Sequence, residues 1–168
     1  MGGESLESKF GQSLVARRQE AFRCTATTLL EFEPETFQQM AGLVCFYNTG
    51  LYHYCCMSID EELGPCLYIQ SMRDGVVEYP LGESVVPLQN ASRVFLRVEI
   101  DHGLLRFYYS FDETEWKPVG GDLDASILSD DYGDNWGFTG TFIGLACQDL
   151  SGQRKSADFD FFEYIEGE

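Results

Sequence analysis

Residues Gly137–Tyr164 read GFTGTFIGLACQDLSGQRKSADFDFFEY. In an extended chain Phe138, Gly140, Phe142, Gly144 and Ala146 share one face, and Thr139, Thr141, Ile143, Leu145 and Cys147 share the other. A strand wet on one side alternates apolar with polar residues, so one that is apolar on both faces is expected to be covered on both. Glycine at alternate positions opens the first face to close backbone approach, and that face is expected to meet something outside the domain. A polar turn at Ser151, Gly152 and Gln153 leads to a second aromatic strand, Phe159–Tyr164, in which Phe159 and Phe161 alternate with Asp158 and Asp160. Together the two strands predict the core of a β-sandwich.

The rest of the chain reads the same way. Residues 10–20 suggest an extended or edge segment. Over Ala21–Glu33, Phe22, Cys24, Ala26, Thr28, Leu30 and Phe32 face one way and a mostly polar set faces the other, the pattern of a sheet wet on one side. Pro34 ends that strand, because it has no N–H for a ladder. Met40–Tyr47 and Leu51–Ile59 flank Asn48-Thr49-Gly50, a hairpin signal. Pro65–Met72 and a short piece at Ser84–Leu88 read as further strands. Val94–Ile100 reverses through Asp101-His102-Gly103 into Leu104–Phe111, a second hairpin. Trp116 is expected to cover the end of the core, and Asp122 or Asp124 to cap one helical turn over Ala125–Leu128. About ten short strands and almost no helical periodicity predict an all-β, two-sheet antiparallel sandwich of jelly-roll type. The expected organisation is a lead or linker over residues 1–9 and one sandwich domain over 10–168.

At 168 residues the chain is long enough for one buried core. A net charge of −17 disfavours nucleic acid and anionic membrane surfaces as partners. No apolar run approaches the ~20 residues that a membrane helix needs. The six cysteines lie in apolar strand patterns and never in a C-x-x-C spacing, so they are expected to be reduced, buried thiols in a cytoplasmic protein.

The motifs of nucleophilic, metal-dependent and phosphate-binding enzymes are missing: there is no G-x-S-x-G, H-E-x-x-H, P-loop or G-x-G-x-x-G. His53 and His102 lack a recognisable partner pattern. Asp158 and Asp160, alternate carboxylates on a terminal strand, are candidate calcium ligands set against a plain reading as solvated side chains. Tyr132, Trp136 and Phe138 lie in or beside an acidic, glycine-rich loop, where an aromatic ring can stack on the C–H face of a sugar or fold back as a lid on the sandwich.

Five stretches then carry a resemblance: FGQSLVARRQ at 10–19, LEFEPETFQQMAGLVCFYNT at 30–49, YSFDETEWKPVG at 109–120, LDASILSDDY at 123–132, and the opening stretch itself. In this order they resemble the C-terminal β-sandwich domain of family-43 glycoside hydrolases, the β-xylosidase and α-L-arabinofuranosidase group. The resemblance implies a concanavalin-A-like sandwich following a five-bladed β-propeller that carries the catalytic acids and hydrolyses with inversion. It also implies that the sandwich packs on the propeller and sends an aromatic loop to the mouth of a pocket for short xylo-oligosaccharides. By motif position that role falls to Phe138, with Trp136 as a second substrate-binding candidate. No catalytic residue, metal or cofactor is implied for this chain. Between Leu51 and Cys66 the sequence is richer in cysteine than the family pattern.

Two functions remain open at this point. One is a non-catalytic accessory domain of a xylan-degrading hydrolase; the other is a stand-alone lectin-like carbohydrate-binding module. The strand that is apolar on both faces favours the first, because a free module has no reason to leave an apolar face uncovered.

Overall fold

Both hairpins expected from local turn chemistry are present in the computed structural model, which describes residues 3–133 and 137–167. The strands are β1 (Ser13–Arg18), β2 (Arg23–Glu31), β3 (Gln39–Asn48), β4 (Leu51–Asp60), β5 (Gly64–Arg73), β6 (Val76–Glu78), β7 (Val86–Pro87), β8 (Arg93–Asp101), β9 (Leu104–Ser110), β10 (Lys117–Asp124), β11 (Phe142–Asp149) and β12 (Asp158–Glu166). A seven-stranded sheet runs β1-β11-β3-β4-β5-β6, with β7 also on β5, and faces a five-stranded sheet running β10-β9-β8-β2-β12. All pairings are antiparallel. The molecule is the expected two-sheet jelly-roll sandwich of concanavalin-A-like type.

The period-2 pattern explains the core. Leu43, Cys45, Cys55, Met57, Leu67, Ile69 and Ile143 point inward from the larger sheet and meet Ala26, Leu30, Val94, Leu96, Val98, Leu105 and Phe107 from the smaller one. Cys55 and Cys56 face opposite ways, into the central core and the outer cluster respectively. All six cysteines are free thiols. Asn48 Oδ1 accepts the Gly50 N–H at 2.8 Å and closes the β3–β4 turn.

The larger sheet also buries its outer face. Leu6, Val44, Tyr52, Tyr54, Cys56, Met72 and Ala146 form a second apolar cluster there. The Tyr54 hydroxyl donates to the Ala146 carbonyl at 2.9 Å, and Gln70 Nε2 donates to the Tyr52 hydroxyl at 2.8 Å. The lead is tied to this face, since the Leu6 N–H donates to Gln148 Oε1 at 3.3 Å and Gln12 Nε2 donates back to the Leu6 carbonyl. The strand expected to be covered on both faces is so covered, but the outer cover includes the chain's own Leu6.

Several local expectations are corrected. The strand predicted to run from Phe138 begins only at Phe142, because Phe138 and Gly140 take left-handed backbone with φ of +50° and +68°. Strands β11 and β12 do not pair: β11 lies between β1 and β3, and β12 is an edge strand on β2 in the other sheet. A bulge between Phe159 and Phe162 inserts one extra residue. Phe159 and Phe162 therefore both pack on the core, while the Phe161 ring tilts against Phe95 at 6.4 Å outside it. The second face of β2 is not wet throughout, because Thr27 and Leu29 are buried, whereas Phe22 is exposed. Trp116 does not cap the core; the Arg97 guanidinium stacks 3.7 Å from its ring. Strand β10 escaped sequence reading because Gly120-Gly121 interrupts it at a register shift between Val119 and Leu123.

Candidate functional site

One end of the sandwich gathers the β3–β4, β5–β6 and β8–β9 turns and the segment leading into β11. Phe138 stands here with 74% of its surface exposed. A left-handed φ is disfavoured for a bulky side chain, so its surroundings must impose it. Gly137 lies against the Tyr47 hydroxyl, and a Cβ at that glycine would come within 2.3 Å of it. Asp130 Oδ1 accepts from the Tyr47 hydroxyl at 2.7 Å and from the Gly140 N–H at 3.1 Å. Beyond it, the Thr141 hydroxyl donates to the Leu128 carbonyl at 2.8 Å, and the Gln19 N–H donates to the Thr141 carbonyl at 2.9 Å.

Tyr47 is buried in the core cluster near the end of β3, so the Phe138 segment is referred to the sandwich interior. The Tyr47 hydroxyl and then the Gly140 N–H hold the Asp130 carboxyl below the ordinary carboxylate range, and that hydrogen bond with Asp130 raises the Tyr47 phenol. Asp130 follows the 3₁₀ turn Ala125–Leu128, which buries Ile127 and Leu128 and is capped by the Asp124 side chain. Of the two aspartates weighed as caps, Asp124 holds the position. Tyr132 reaches across the same end, its hydroxyl 3.1 Å from Asp74 Oδ2. Beside the loop, Phe22 stacks on His102 at 5.7 Å, next to a cleft of about 500 Å³ lined in part by Gln19, Ser126, Asp130 and Thr141.

Trp136 lies outside the described residues. Asp158 and Asp160 are both exposed on β12, at the opposite edge of the smaller sheet from β10. Among the described residues no three histidine, cysteine, aspartate or glutamate side chains gather as a metal group, and no helix is long and apolar enough to cross a membrane. The His53 ring is buried, with Nδ1 2.7 Å from Ser71 Oγ and Nε2 3.0 Å from the Asp124 carbonyl oxygen. Both ring nitrogens are committed to internal partners. Ser71 and His53 are each only 2% exposed, so the pair is a buried structural bridge within the larger sheet that reaches no solvent or substrate.

Asp130 and Tyr47 escaped the sequence reading. In the acidic loop only the aromatic residues stand out from the sequence, and Tyr47 reads as the last residue of the apolar run Met40–Tyr47. The available signal was a phenol at the end of an apolar strand, since a buried tyrosine hydroxyl needs a partner. Chemically, this end offers an exposed aromatic ring on a backbone segment tied to the core through Asp130 and Tyr47. Such a ring can stack on a sugar, while the hydrogen-bonded carboxylate oxygen is already occupied.

The family described as the β-xylosidase C-terminal concanavalin A-like domain matches residues 1–165. This chain belongs to that family. Similarity to full-length proteins supports the assignment of this β-xylosidase C-terminal domain. It is 41% identical over 166 residues to the β-xylosidase of Bacillus subtilis (strain 168), covering 98% of this chain and 31% of that protein. It is 39% identical over 171 residues to xylosidase/arabinosidase 43B of Humicola insolens, covering 98% and 32%. The crystal structure of xylan β-1,4-xylosidase from Bacillus halodurans C-125 superposes with a TM-score of 0.93 at 45% identity, over 98% of this chain and 32% of that one. The domain thus spans 31% to 32% of the length of these relatives.

Proposed function

We propose that this chain is a non-catalytic accessory domain of a xylan-degrading glycoside hydrolase. In this reading it packs on a β-propeller catalytic domain of the same polypeptide and presents Phe138 to a pocket for short xylo-oligosaccharides. The observation that carries the reading is the exposed Phe138 ring held in left-handed backbone by Asp130, Tyr47 and Gly137. Support comes from relatives named as xylosidases, in which the matching region is 31% to 32% of the protein. The catalytic carboxylates belong to the remainder of such a polypeptide, so the isolated domain has no glycosidase activity of its own.

The test is Phe138→Ala in the full-length polypeptide. Losing one stacking face should lower kcat/KM on an aryl β-xyloside by roughly tenfold to a hundredfold, corresponding to about 1–3 kcal/mol. A destabilised sandwich with unchanged kinetics would end the claim.

A second reading, a stand-alone glycan-binding module, has one observation in its favour. A groove of about 360 Å³ between Phe37, Tyr68 and Tyr79 lies near the opposite end of the sandwich. Clear binding of xylo-oligosaccharides to the isolated domain, abolished by Tyr79→Ala, would favour it.

A further inference from the structure

We propose that Asp130 is the positioning residue for Phe138, acting through Tyr47 and Gly140. This rests on the reading of Phe138 as a wall of the substrate pocket. A single oxygen, Asp130 Oδ1, accepts from both partners, at 2.7 Å from the Tyr47 hydroxyl and 3.1 Å from the Gly140 N–H. One donor is rooted in the core through β3, and the other lies two residues beyond Phe138. The residue before Phe138 is fixed to the same point, because Gly137 packs on the Tyr47 hydroxyl with no room for a Cβ. Phe138 is therefore bracketed by two glycines registered on one phenol–carboxylate pair. Gly140 must itself be glycine-like, having a φ of +68° and a Cβ position 2.9 Å from the Arg18 guanidinium.

The carboxylate is held in turn. Asp130 comes two residues after the 3₁₀ turn that buries Ile127 and Leu128, and Thr141 returns a hydrogen bond to the Leu128 carbonyl. Two hydrogen bonds thus tie the far side of Phe138 to this turn, Gly140 to Asp130 and Thr141 to Leu128. Oδ1 is committed to two internal donors, and through them Asp130 acts on substrate by placing the ring.

The experiment uses the full-length polypeptide and hydrolysis of an aryl β-xyloside. Asp130→Ala should lower kcat/KM by about tenfold, because a ring displaced by about an ångström loses its stacking geometry. Asp130→Asn keeps an Oδ1 acceptor and should recover most of that loss. The deciding measurement is the double mutant: in a Phe138→Ala background, Asp130→Ala should cost nothing further. A merely structural role would lower activity equally in both backgrounds. If Asp130→Ala does not fold, Tyr47→Phe removes one donor and carries the same cycle. Neutral or fully additive substitutions alongside a damaging Phe138→Ala overturn the positioning role alone, whereas a neutral Phe138→Ala overturns the pocket reading and this role with it.

Discussion

His53 Nε2 lies 3.0 Å from the main-chain oxygen of Asp124, and this contact joins the larger sheet to the start of the 3₁₀ turn that leads to Asp130. A carbonyl can only accept, so Nε2 carries the proton and Nδ1 accepts from the Ser71 hydroxyl at 2.7 Å. Burial lowers the His53 pKa below its ordinary value, outweighing the raising effect of the Asp124 carbonyl; Arg73 lowers it further, and the Asp124 and Glu78 carboxylates oppose that.

The pH dependence of folding follows from that direction. In the unfolded chain the ring takes up a proton near its ordinary pKa of ~6.5, while in the folded protein it resists to a lower pH. The stabilisation is complete above the unfolded-chain pKa and is lost as pH falls from ~6.5 towards the lower folded pKa, with a limiting slope of about 1.4 kcal/mol per pH unit. Urea unfolding at pH 7.5 and 5.5 should show wild type losing more stability than His53→Gln. Equal losses in the two proteins would show that His53 does not supply this dependence.

Close backbone approach at two glycines sets an order of sensitivity. A Cβ at Gly42 would meet the Cys55 carbonyl oxygen at 2.0 Å and the Cys56 Cα at 2.7 Å, in the middle of the larger sheet. At Gly144 it would meet the Val15 oxygen at 2.2 Å and the Ala16 Cα at 2.5 Å, both on edge strand β1. An edge strand can shift outward where a central one cannot. Gly42→Ala should therefore cost about 3 kcal/mol or more and Gly144→Ala about 1–2 kcal/mol, read as shifts in denaturation midpoint. The reverse order would contradict this account.

Leu6 tests how firmly the lead is bound. Its side chain is 5% exposed in the outer cluster. Leu6→Ala should cost about 2 kcal/mol and should speed tryptic cleavage after the exposed Lys9. Unchanged cleavage would mean that the lead opens independently of Leu6.

The thiols provide a chemical check. Burial pushes the Cys56 thiol up to about 12 and Cys66 up to about 11, and it raises Cys24, Cys45, Cys55 and Cys147 as well. Alkylation of the native protein near pH 7.5 should be slow and should begin at Cys147, the one cysteine that is not fully buried. Denaturation without reductant should release all six for titration. Rapid native labelling at Cys55 or Cys56 would show that the strand β4 region opens.

Strand existence was legible where the information is local. The Val94–Ile100 alternation, the Asn48-Thr49-Gly50 and Asp101-His102-Gly103 turns, and the Asp124 cap each depend on neighbours within a few residues, so fold class could be read from the chain. The partners of β11 and β12 could not. They are chosen by pairings such as Leu145 with Leu43 and Phe162 with Thr28, which lie about a hundred residues or more apart in the chain, and periodicity carries no record of which distant strand will present the matching face. A one-residue bulge then turned Phe161 outward and Phe162 inward, against the written alternation. At the candidate site, the sequence placed Tyr132, Trp136 and Phe138 in or beside an acidic, glycine-rich loop, and the family resemblance, by motif position, assigned the pocket role to Phe138. Its left-handed backbone and its bracket of Asp130 and Tyr47 were decided by tertiary structure, because a hydrogen bond between residues 83 positions apart exists only once the sandwich has brought their elements to the same end.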